Sequence, residues 1–245
     1  MKMIPKFVAK VLHSEGWLKL GVLLKFSMIK LRSASSRCES IESYVELASN
    51  ALLTLPFLYA NIQPSQVKSE IVALLKILAK SKPQYLLEIG TARGGTLYLF
   101  TKIASEDATI ISVDLPGGCF GSGYSGGKIT YYKSFATRHE KIHLLRENSH
   151  LERTLNTVQN ILSGHNLDFL FIDGDHTYTG VKADFEMYSP LVRQGGLIAL
   201  HDICVEPNPT CKVSDYWNEI KDRFNSMEIV NDPHQGWAGI GVIYV

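Results

Sequence analysis

Hydrophobic positions follow two alternating periods from about residue 65 to residue 245. Short apolar runs at 85–90, 109–114, 142–147, 168–173, 196–201 and 240–245 have the length of buried strands. Apolar residues at three- and four-residue spacings predict helices at 67–78, 96–104, 151–162, 178–189 and 213–224. Strands that alternate with amphipathic helices predict an α/β fold, in which a mostly parallel sheet is covered by helices on both faces.

The first 64 residues have a different pattern. Residues 39–60 are apolar at helical spacing, and Pro56 and Pro64 interrupt the chain before the alternating region begins. We therefore predict a helical N-terminal extension over 1–64 and one α/β domain over 65–245. Residues 1–37 carry eight Lys and Arg residues against the single acid Glu15, so this extension is basic at its start.

The charge limits the classes of partner, and the cysteine content indicates the cellular compartment. Residues 38–245 hold more acidic than basic side chains, which argues against a nucleic-acid-binding protein, because phosphate contacts need a basic face. Cys38, Cys119, Cys204 and Cys211 form no C-x-x-C pair, so we expect free thiols and a cytoplasmic protein.

The basic leader leaves several interpretations open. Lys19, Lys25 and Lys30 interrupt its apolar residues, which excludes a membrane-spanning run. Peripheral contact with a membrane surface is one alternative, although the lysines fall on different sides of a helix. The favoured interpretation is that these helices cover the domain or contact a second subunit in a homo-oligomer.

A glycine-rich turn follows the first strand of the α/β region. Its sequence, Y-L-L-E-I-G-T-A-R-G-G over 85–95, places a ligand at the carboxyl end of that strand. The glycines do not match the G-x-G-x-x-G register of dinucleotide-binding turns, and no phosphate-binding G-x-x-x-x-G-K-[ST] motif is present. The spacing Glu88-x-Gly90-x-x-x-Gly94 instead resembles the first motif of class I S-adenosylmethionine-dependent methyltransferases.

This resemblance implies a set of cofactor contacts at successive strand ends. Besides Glu88, Gly90, Thr91 and Gly94, it implies that Asp114 accepts hydrogen bonds from both ribose hydroxyls. Asn148 and Ser149 end the third strand, where the adenine would lie, and Asp173 ends the fourth. Ser149 and Glu152 also form an S-x-x-E pattern, which predicts a capping box for the next helix.

Ionisable residues are concentrated at the ends of the fourth and fifth strands. The fourth ends in Asp173-Gly-Asp175-His176, and the fifth ends in His201-Asp202. Because adjacent strands lie about 5 Å apart, Asp173 and Asp202 are expected to share a divalent cation. Residues 115–130 contain six glycines between 117 and 127, which predicts a mobile flap over this edge.

The two strand-end motifs together are similar to a narrower group. F-I-D-G-D-H-T-Y-T-G-V-K-A-D-F and the later G-G-L-I-A-L-H-D resemble small-molecule O-methyltransferases, including macrolide sugar enzymes and cephalosporin-hydroxylase-like relatives. The resemblance implies a Rossmann-like, doubly wound, mostly parallel seven-stranded sheet with an antiparallel C-terminal strand. It also implies Mg²⁺ at Asp173 and Asp202, and His176 as general base with Asp173 beside it in the catalytic group. His201 departs from the pattern, since relatives carry an acid there; it is a candidate third ligand for Mg²⁺ or another divalent cation.

The leading hypothesis is an S-adenosylmethionine-dependent O-methyltransferase that acts on a hydroxyl of a small molecule or sugar. The absence of a D/N-P-P-Y motif after strand four argues against adenine or cytosine N-methylation. One alternative is a non-catalytic, regulatory protein that keeps the cofactor pocket. A nucleotide-dependent oxidoreductase is a weaker alternative, because the glycine register is broken.

Overall fold

A computed structural model describes residues 16–50, 61–120 and 123–245, with side chains from residue 24 onward. Its helices are α1 (Gly16–Ser35), α2 (Ile41–Ser49), α3 (Lys68–Ser81), α4 (Gly95–Ile103), α5 (Ile129–Lys133), α6 (Glu152–Leu162), α7 (Tyr178–Tyr188) and α8 (Val213–Ile220). Its strands are β1 (Tyr85–Ile89), β2 (Thr109–Val113), β3 (Lys141–Leu145), β4 (Leu167–Ile172), β5 (Val192–His201), β6 (Asn225–Ile229) and β7 (Ile240–Tyr244).

The strands form a single seven-stranded sheet in the order β3-β2-β1-β4-β5-β7-β6. The first five strands pair in parallel, and β7 is antiparallel to both β5 and β6. The order of the strands in the sheet changes after β3: β2 and β3 lie on one side of β1, and β4 and β5 lie on the other. These features confirm the predicted doubly wound α/β fold with an antiparallel C-terminal strand. The carboxyl ends of β1, β2 and β4 are level, since Ile89 pairs with both Val113 and Ile172.

Successive residues of the central strands enter two separate cores. Leu86 contributes to the core beneath α3 and α4, whereas Leu87 contributes to the core beneath α6, α7 and α8. This alternation follows from the pleat, which directs neighbouring side chains to opposite faces. A sheet buried on both faces leaves its strand ends as the place where polar side chains can meet a ligand.

The described part of the N-terminal extension packs on the α/β region. Val45 and Ala48 of α2 are buried in the same core as Leu74 of α3. Ser40 and Ser43 form a capping box at the start of α2, which ends at Ser49. The remainder of the helix predicted over 39–60 lies outside the described residues. In the described part of the chain, no helix is long and apolar enough to cross a membrane.

Several predicted element boundaries differ from the structure. The N-cap of α6 is Leu151, so Ser149 forms no capping box; the carbonyl oxygen of Ser149 instead accepts a hydrogen bond from the Tyr188 hydroxyl at 2.7 Å. The helix predicted over 213–224 ends at Ile220 and continues as a 3-10 turn. The predicted flap includes a second 3-10 turn, at 126–128, which leads into α5. β6 was missed, because its sequence N-S-M-E-I is half polar at the edge of the sheet.

Candidate cofactor and acceptor site

The turn after β1 is held against the end of β4 by backbone contacts. Gly90 has φ +97°, and a Cβ added there would lie 1.9 Å from the carbonyl oxygen of Asp173. The Gly90 amide donates to the Val113 carbonyl at 2.8 Å, and the Asp173 amide donates to the Ile89 carbonyl at 2.8 Å. Only glycine meets both the positive φ and the close approach. The turn therefore joins the ends of β1, β2 and β4.

A tyrosine from the flap region covers the same turn. Gly94 has φ +79°, and a Cβ added there would lie 2.8 Å from the ring of Tyr132. The Tyr132 hydroxyl donates to the carbonyl of Ala92 at 3.0 Å. Tyr132 is fully buried on α5. The predicted flap therefore leads into a packed helix, α5, and the sequence did not identify this tyrosine.

Glu88 lies beneath the turn rather than at its surface. Its side chain is fully buried and accepts hydrogen bonds from the hydroxyls of Thr96 and Ser112. Burial raises the pKa of Glu88 to about 8, against the opposing effect of these hydrogen bonds. Thr91, also buried, shares a hydrogen bond with Ser112. These contacts fix the base of the turn, and direct contact of Glu88 and Thr91 with a cofactor stays a prediction.

Asp114 follows β2 and lies beside the turn. One of its oxygens, Oδ2, accepts a hydrogen bond from the Ala92 amide at 2.8 Å. Burial raises the pKa of Asp114 to about 6, while backbone hydrogen bonds oppose this shift. A Cβ added to Gly123 of the flap would lie 3.2 Å from the other oxygen, Oδ1. Asp114 is therefore anchored through one oxygen and close to the flap through the other.

Asn148 and Ser149 lie after β3, on the far side of β2 from the turn. The Asn148 side chain accepts a hydrogen bond from the His150 amide at 2.8 Å and so shapes its own loop. His150 extends from this loop to Asp184 of α7, with 3.3 Å between Nε2 and Oδ1. Asp184 is fully buried. The structure therefore ties the predicted adenine loop to α7, two elements that the sequence did not connect.

The structure brings together all four predicted residues at the ends of β4 and β5. His201 Nδ1 lies 3.1 Å from an oxygen of Asp173 and 3.1 Å from an oxygen of Asp202. His176 also touches both acids, with Nε2 3.4 Å from Asp173 and Nδ1 3.0 Å from Asp202. The two carboxylates and two imidazoles therefore alternate in a closed ring, which we call the Asp–His cluster.

Charge within the Asp–His cluster is shared between acids and imidazoles. Burial alone would favour neutral side chains, but the two acids raise the pKa of His201 to about 10 and raise the pKa of His176 as well. Conversely, both imidazoles hold the pKa values of Asp173 and Asp202 below their usual range, against the effect of burial. An imidazole between two carboxylates favours its protonated form, in which it cannot accept a proton. His176 can therefore act as a base only when charge on the acids is compensated by another group.

Three residues that the sequence did not single out surround the Asp–His cluster. Gln66, in the loop just before α3, donates to the second oxygen of Asp173 at 2.7 Å. The ring of Phe120, from the flap, stacks on His176 with centroids 4.7 Å apart. Cys211 is buried, and its sulfur and donor atoms of His176 and Asp202 lie within 4.8 Å of one another. No local motif marks these residues, because each comes from a different loop. All four cysteines are free, as predicted.

Comparisons with known proteins identify a matching domain model and one similar sequence. Residues 87–203 match a family model described as a methyltransferase domain. An uncharacterised protein, y4gI of Sinorhizobium fredii, is 27% identical over 166 residues, which are 66% of this chain but only 17% of that protein. The chain thus spans about a sixth of that relative.

Two solved O-methyltransferases have similar structures. TomG from Streptomyces achromogenes, involved in tomaymycin synthesis and solved with S-adenosylmethionine, has a TM-score of 0.55 at 14% identity, over 89% of this chain and 95% of TomG. CalS11, a TDP-rhamnose 3'-O-methyltransferase of calicheamicin biosynthesis, has a TM-score of 0.54 at 15% identity, over 90% and 93% of the two chains. At these identities the likeness concerns the fold.

The family-model match and the fold point to the same class of protein. Residues 87–203 match a methyltransferase-domain model, and the seven-stranded sheet has the fold of the solved O-methyltransferases. This match favours the methyltransferase hypothesis over the oxidoreductase alternative.

Proposed function

We propose that this protein transfers a methyl group from S-adenosylmethionine to a hydroxyl of a small molecule or a sugar moiety. The observation that carries the proposal is the contact between Gly90 and Asp173. It joins the turn that is predicted to hold the cofactor to the Asp–His cluster that is predicted to hold the acceptor. Donor and acceptor would then meet at one edge of the sheet, as in-line transfer requires.

The residues around the turn fit such a cofactor. The turn contains two positive-φ glycines, Gly90 and Gly94, whose missing side chains let Asp173 and Tyr132 pack closely against its backbone. Asp114 offers carboxylate oxygens at the end of β2, and two such oxygens match the vicinal hydroxyls of a ribose. The described contacts support this cofactor position, in which Asn148 and Ser149 border the adenine.

The proposed reaction forms two bonds and breaks two. The acceptor oxygen bonds to the methyl carbon while the carbon–sulfur bond breaks, which yields a methyl ether and S-adenosylhomocysteine. Where the charge on Asp173 and Asp202 is compensated, His176 accepts the hydroxyl proton on an imidazole nitrogen and later releases it to solvent. Phe120 stacks on this imidazole and shields it from water, while Asp173 and Asp202 orient its two nitrogens.

A divalent cation fits the same cluster. The ligand atoms of Asp173, His201 and Asp202 all lie within 4.8 Å of one another, so they could serve a single cation. Asp173, His201 and Asp202 would hold the ion. When bound, the ion would lower the pKa of the acceptor hydroxyl and offset the charge on both acids.

The class of acceptor is supported by the proteins with similar structures. TomG acts in tomaymycin synthesis, and CalS11 methylates the sugar of TDP-rhamnose. Both are O-methyltransferases of natural-product pathways. We therefore propose a hydroxylated small molecule or sugar as the acceptor of this chain. The Asp–His cluster supports this proposal, because neighbouring hydroxyls can bind a cation or donate hydrogen bonds to carboxylates.

The test of the proposal is transfer of an isotope-labelled methyl group from S-adenosylmethionine to a panel of sugars, sugar nucleotides and phenols. We expect a labelled methyl ether from at least one acceptor class. His176→Ala should slow transfer by about 10²–10⁴-fold while S-adenosylhomocysteine binding stays unchanged. The exposed His139, substituted in the same way, is the matched control and should retain full activity.

Two further experiments distinguish the role of the base from the role of the metal. Chelation should abolish transfer, and Asp202→Asn should lose metal binding but keep cofactor binding. Full activity in a chelator, with His176→Ala still inactive, would discard the cation and keep the base. Activity that survives His176→Ala would remove His176 from the mechanism.

A further inference from the structure

The strand-end position occupied by His201 changes the chemistry of the proposed metal site. His201 ends β5, is 4% exposed, and places Nδ1 within 3.1 Å of both acids. An ion at this point would have one nitrogen and two carboxylate ligands. Mg²⁺ prefers oxygen ligands in a near-ideal octahedron, whereas imidazole suits Zn²⁺, Fe²⁺ and similar transition-metal ions.

A thiol lies on the other side of Asp202. Cys211 is 7% exposed and has no disulfide partner, and its sulfur lies near donor atoms of Asp202 and His176. Its loop is fixed there, because the Lys212 amide donates to the His176 carbonyl at 2.7 Å. Thiolate is a soft ligand that transition-metal ions accept and Mg²⁺ does not. Cys211, His176 and Asp202 form a second group of donor atoms, which shares Asp202 with the group that contains His201.

The backbone supplies an independent indication that this geometry is built. Asp202 has φ +62°, a left-handed conformation that is uncommon for a non-glycine residue. In this conformation its Oδ1 faces His201 and its Oδ2 faces His176. Such outliers persist where the surrounding structure requires them, commonly at ligand sites. Here the strained residue is the one that bridges both imidazoles.

We propose that the Asp–His cluster, with Cys211 beside it, selects a transition-metal cation of the Zn²⁺ and Co²⁺ class over Mg²⁺. The inference rests on the proposed metal assistance and specifies its ion. His201 is the residue that sets the preference, because it replaces an oxygen donor by a nitrogen donor. Cys211 offers a sulfur donor beside Asp202, in the donor group that also contains His176.

The test begins with the full chain after metal removal by chelation. Calorimetric titration with Zn²⁺, Co²⁺ and Mg²⁺ should show Zn²⁺ binding at least 100-fold more tightly than Mg²⁺ to one site, and Asp202→Asn should abolish that site. His201→Glu should reduce the Zn²⁺ to Mg²⁺ affinity ratio by at least tenfold, since it restores an oxygen donor. His139→Glu, at an exposed histidine, is the matched control and should keep the wild-type ratio.

The absorption spectrum of bound Co²⁺ depends on the atoms that coordinate it. We expect a near-ultraviolet thiolate-to-cobalt absorption band in the wild type, lost in Cys211→Ser while the visible cobalt bands remain. His201→Gln is a second variant, which adds no charge. It should weaken Zn²⁺ binding without strengthening Mg²⁺ binding.

The outcomes separate this inference from the proposed function. Tighter Mg²⁺ than Zn²⁺ binding in the wild type, or an unchanged ratio in folded His201→Glu, would overturn the selectivity and leave metal-assisted transfer in place. No site for any of the three ions would overturn both the selectivity and the metal assistance. Methyl transfer measured in chelator would then still decide the methyltransferase proposal independently. Cobalt bands without the thiolate band would remove Cys211 from the site.

Discussion

At the scale of single residues, the site depends on backbone positions that accept no side chain. Gly90 holds the turn at φ +97° and lies against the backbone of Asp173. Gly164, between α6 and β4, has a similar φ of +86° but no atom within 4 Å of an added Cβ. Comparing the two glycines separates conformational strain from steric overlap, because only a Cβ at Gly90 would overlap another residue.

We expect Gly90→Ala to destabilise the protein more than Gly164→Ala. Both changes place alanine at positive φ, which costs about 1–2 kcal/mol. Gly90→Ala also forces the turn away from Asp173, at a further cost of about 1–3 kcal/mol or more, and should weaken S-adenosylhomocysteine binding. Urea denaturation with calorimetry measures both effects. Equal destabilisation by the two changes would show that the Gly90–Asp173 contact is not tight.

A second residue-scale feature is the pair of His150 and Asp184. Their ion pair joins the loop after β3 to α7, and Asp184 accepts no hydrogen bond of good geometry from the described residues. Contact with Asp184 raises the pKa of His150 above its ordinary value of 6.5, against the effect of burial. A raised pKa means that the folded protein binds this proton more tightly than the unfolded chain does.

The stabilisation from His150 should therefore depend on pH. It is fully present below about pH 6.5 and is lost as the pH rises through the higher folded-state pKa. We expect the difference in unfolding free energy between wild type and His150→Gln to be largest near about pH 6 and to shrink toward about pH 9. The same series in an Asp184→Asn background should be flat. A difference that grows with pH would contradict the assignment.

The residues of the site could be predicted only in part from the sequence. Asp173, His176, His201 and Asp202 were predictable as neighbours, because parallel strands end at one edge and their last residues are adjacent. Gln66 and Cys211 could not be predicted, since they reach the Asp–His cluster from distant loops that no period or motif marks. The fully buried position of Glu88 was also hidden, because an acid at a strand end looks the same from sequence whether it faces ligand or core.

At the scale of elements, α3 supports the loop that precedes β7. Glu70 in the first turn of α3 is 1% exposed and accepts hydrogen bonds from the amides of Asn231 and Gly239, at 3.0 and 3.1 Å. The Gln235 side chain donates to it at 2.8 Å. The same loop pairs with the segment after Asp202, where the Cys204 amide donates to the Ala238 carbonyl at 2.9 Å. Glu70 therefore supports one wall of the candidate site from a distance.

Glu70→Ala should destabilise the protein markedly. It leaves buried backbone donors without partners, and each costs about 1–3 kcal/mol. Glu42 is the matched control: its ion pair with Lys76, at 2.6 Å, is exposed on both sides, so Glu42→Ala should change the melting temperature little. The measurement is thermal unfolding of both variants. Similar melting temperatures for the two variants would show that Glu70 does not support the loop.

Elements with clear periodicity were predictable, and short polar ones were not. The five parallel strands, β7 and helices α6 and α7 follow from apolar runs that end near the predicted positions. β6 and α5 were missed, because an edge strand with half its residues polar and a five-residue helix carry too few apolar positions to show a period. Their presence depends on pairing with β7 and on burial of Tyr131 and Tyr132, which only the folded chain shows.

At the scale of the whole molecule, the fold places each candidate group at one edge of the sheet. Because β2 and β4 lie on opposite sides of β1, a crevice is expected at the carboxyl ends of these strands. The turn with Gly90, the carboxylate of Asp114 and the Asp–His cluster lie along this edge. The described helices of the N-terminal extension, α1 and α2, contribute Leu31 and Val45 to the core beneath α3 and α4. The central claim is that this edge binds S-adenosylmethionine.

The measurement that tests this claim most directly is calorimetric titration of the wild type and Asp114→Ala with S-adenosylhomocysteine, with NAD⁺ as the competing ligand class. The account predicts that S-adenosylhomocysteine binds, that NAD⁺ does not, and that Asp114→Ala weakens binding by about 1–3 kcal/mol because ribose hydroxyls lose their partner. Circular dichroism confirms that the variant is folded. NAD⁺ binding without S-adenosylhomocysteine binding, or unchanged affinity in folded Asp114→Ala, would contradict it.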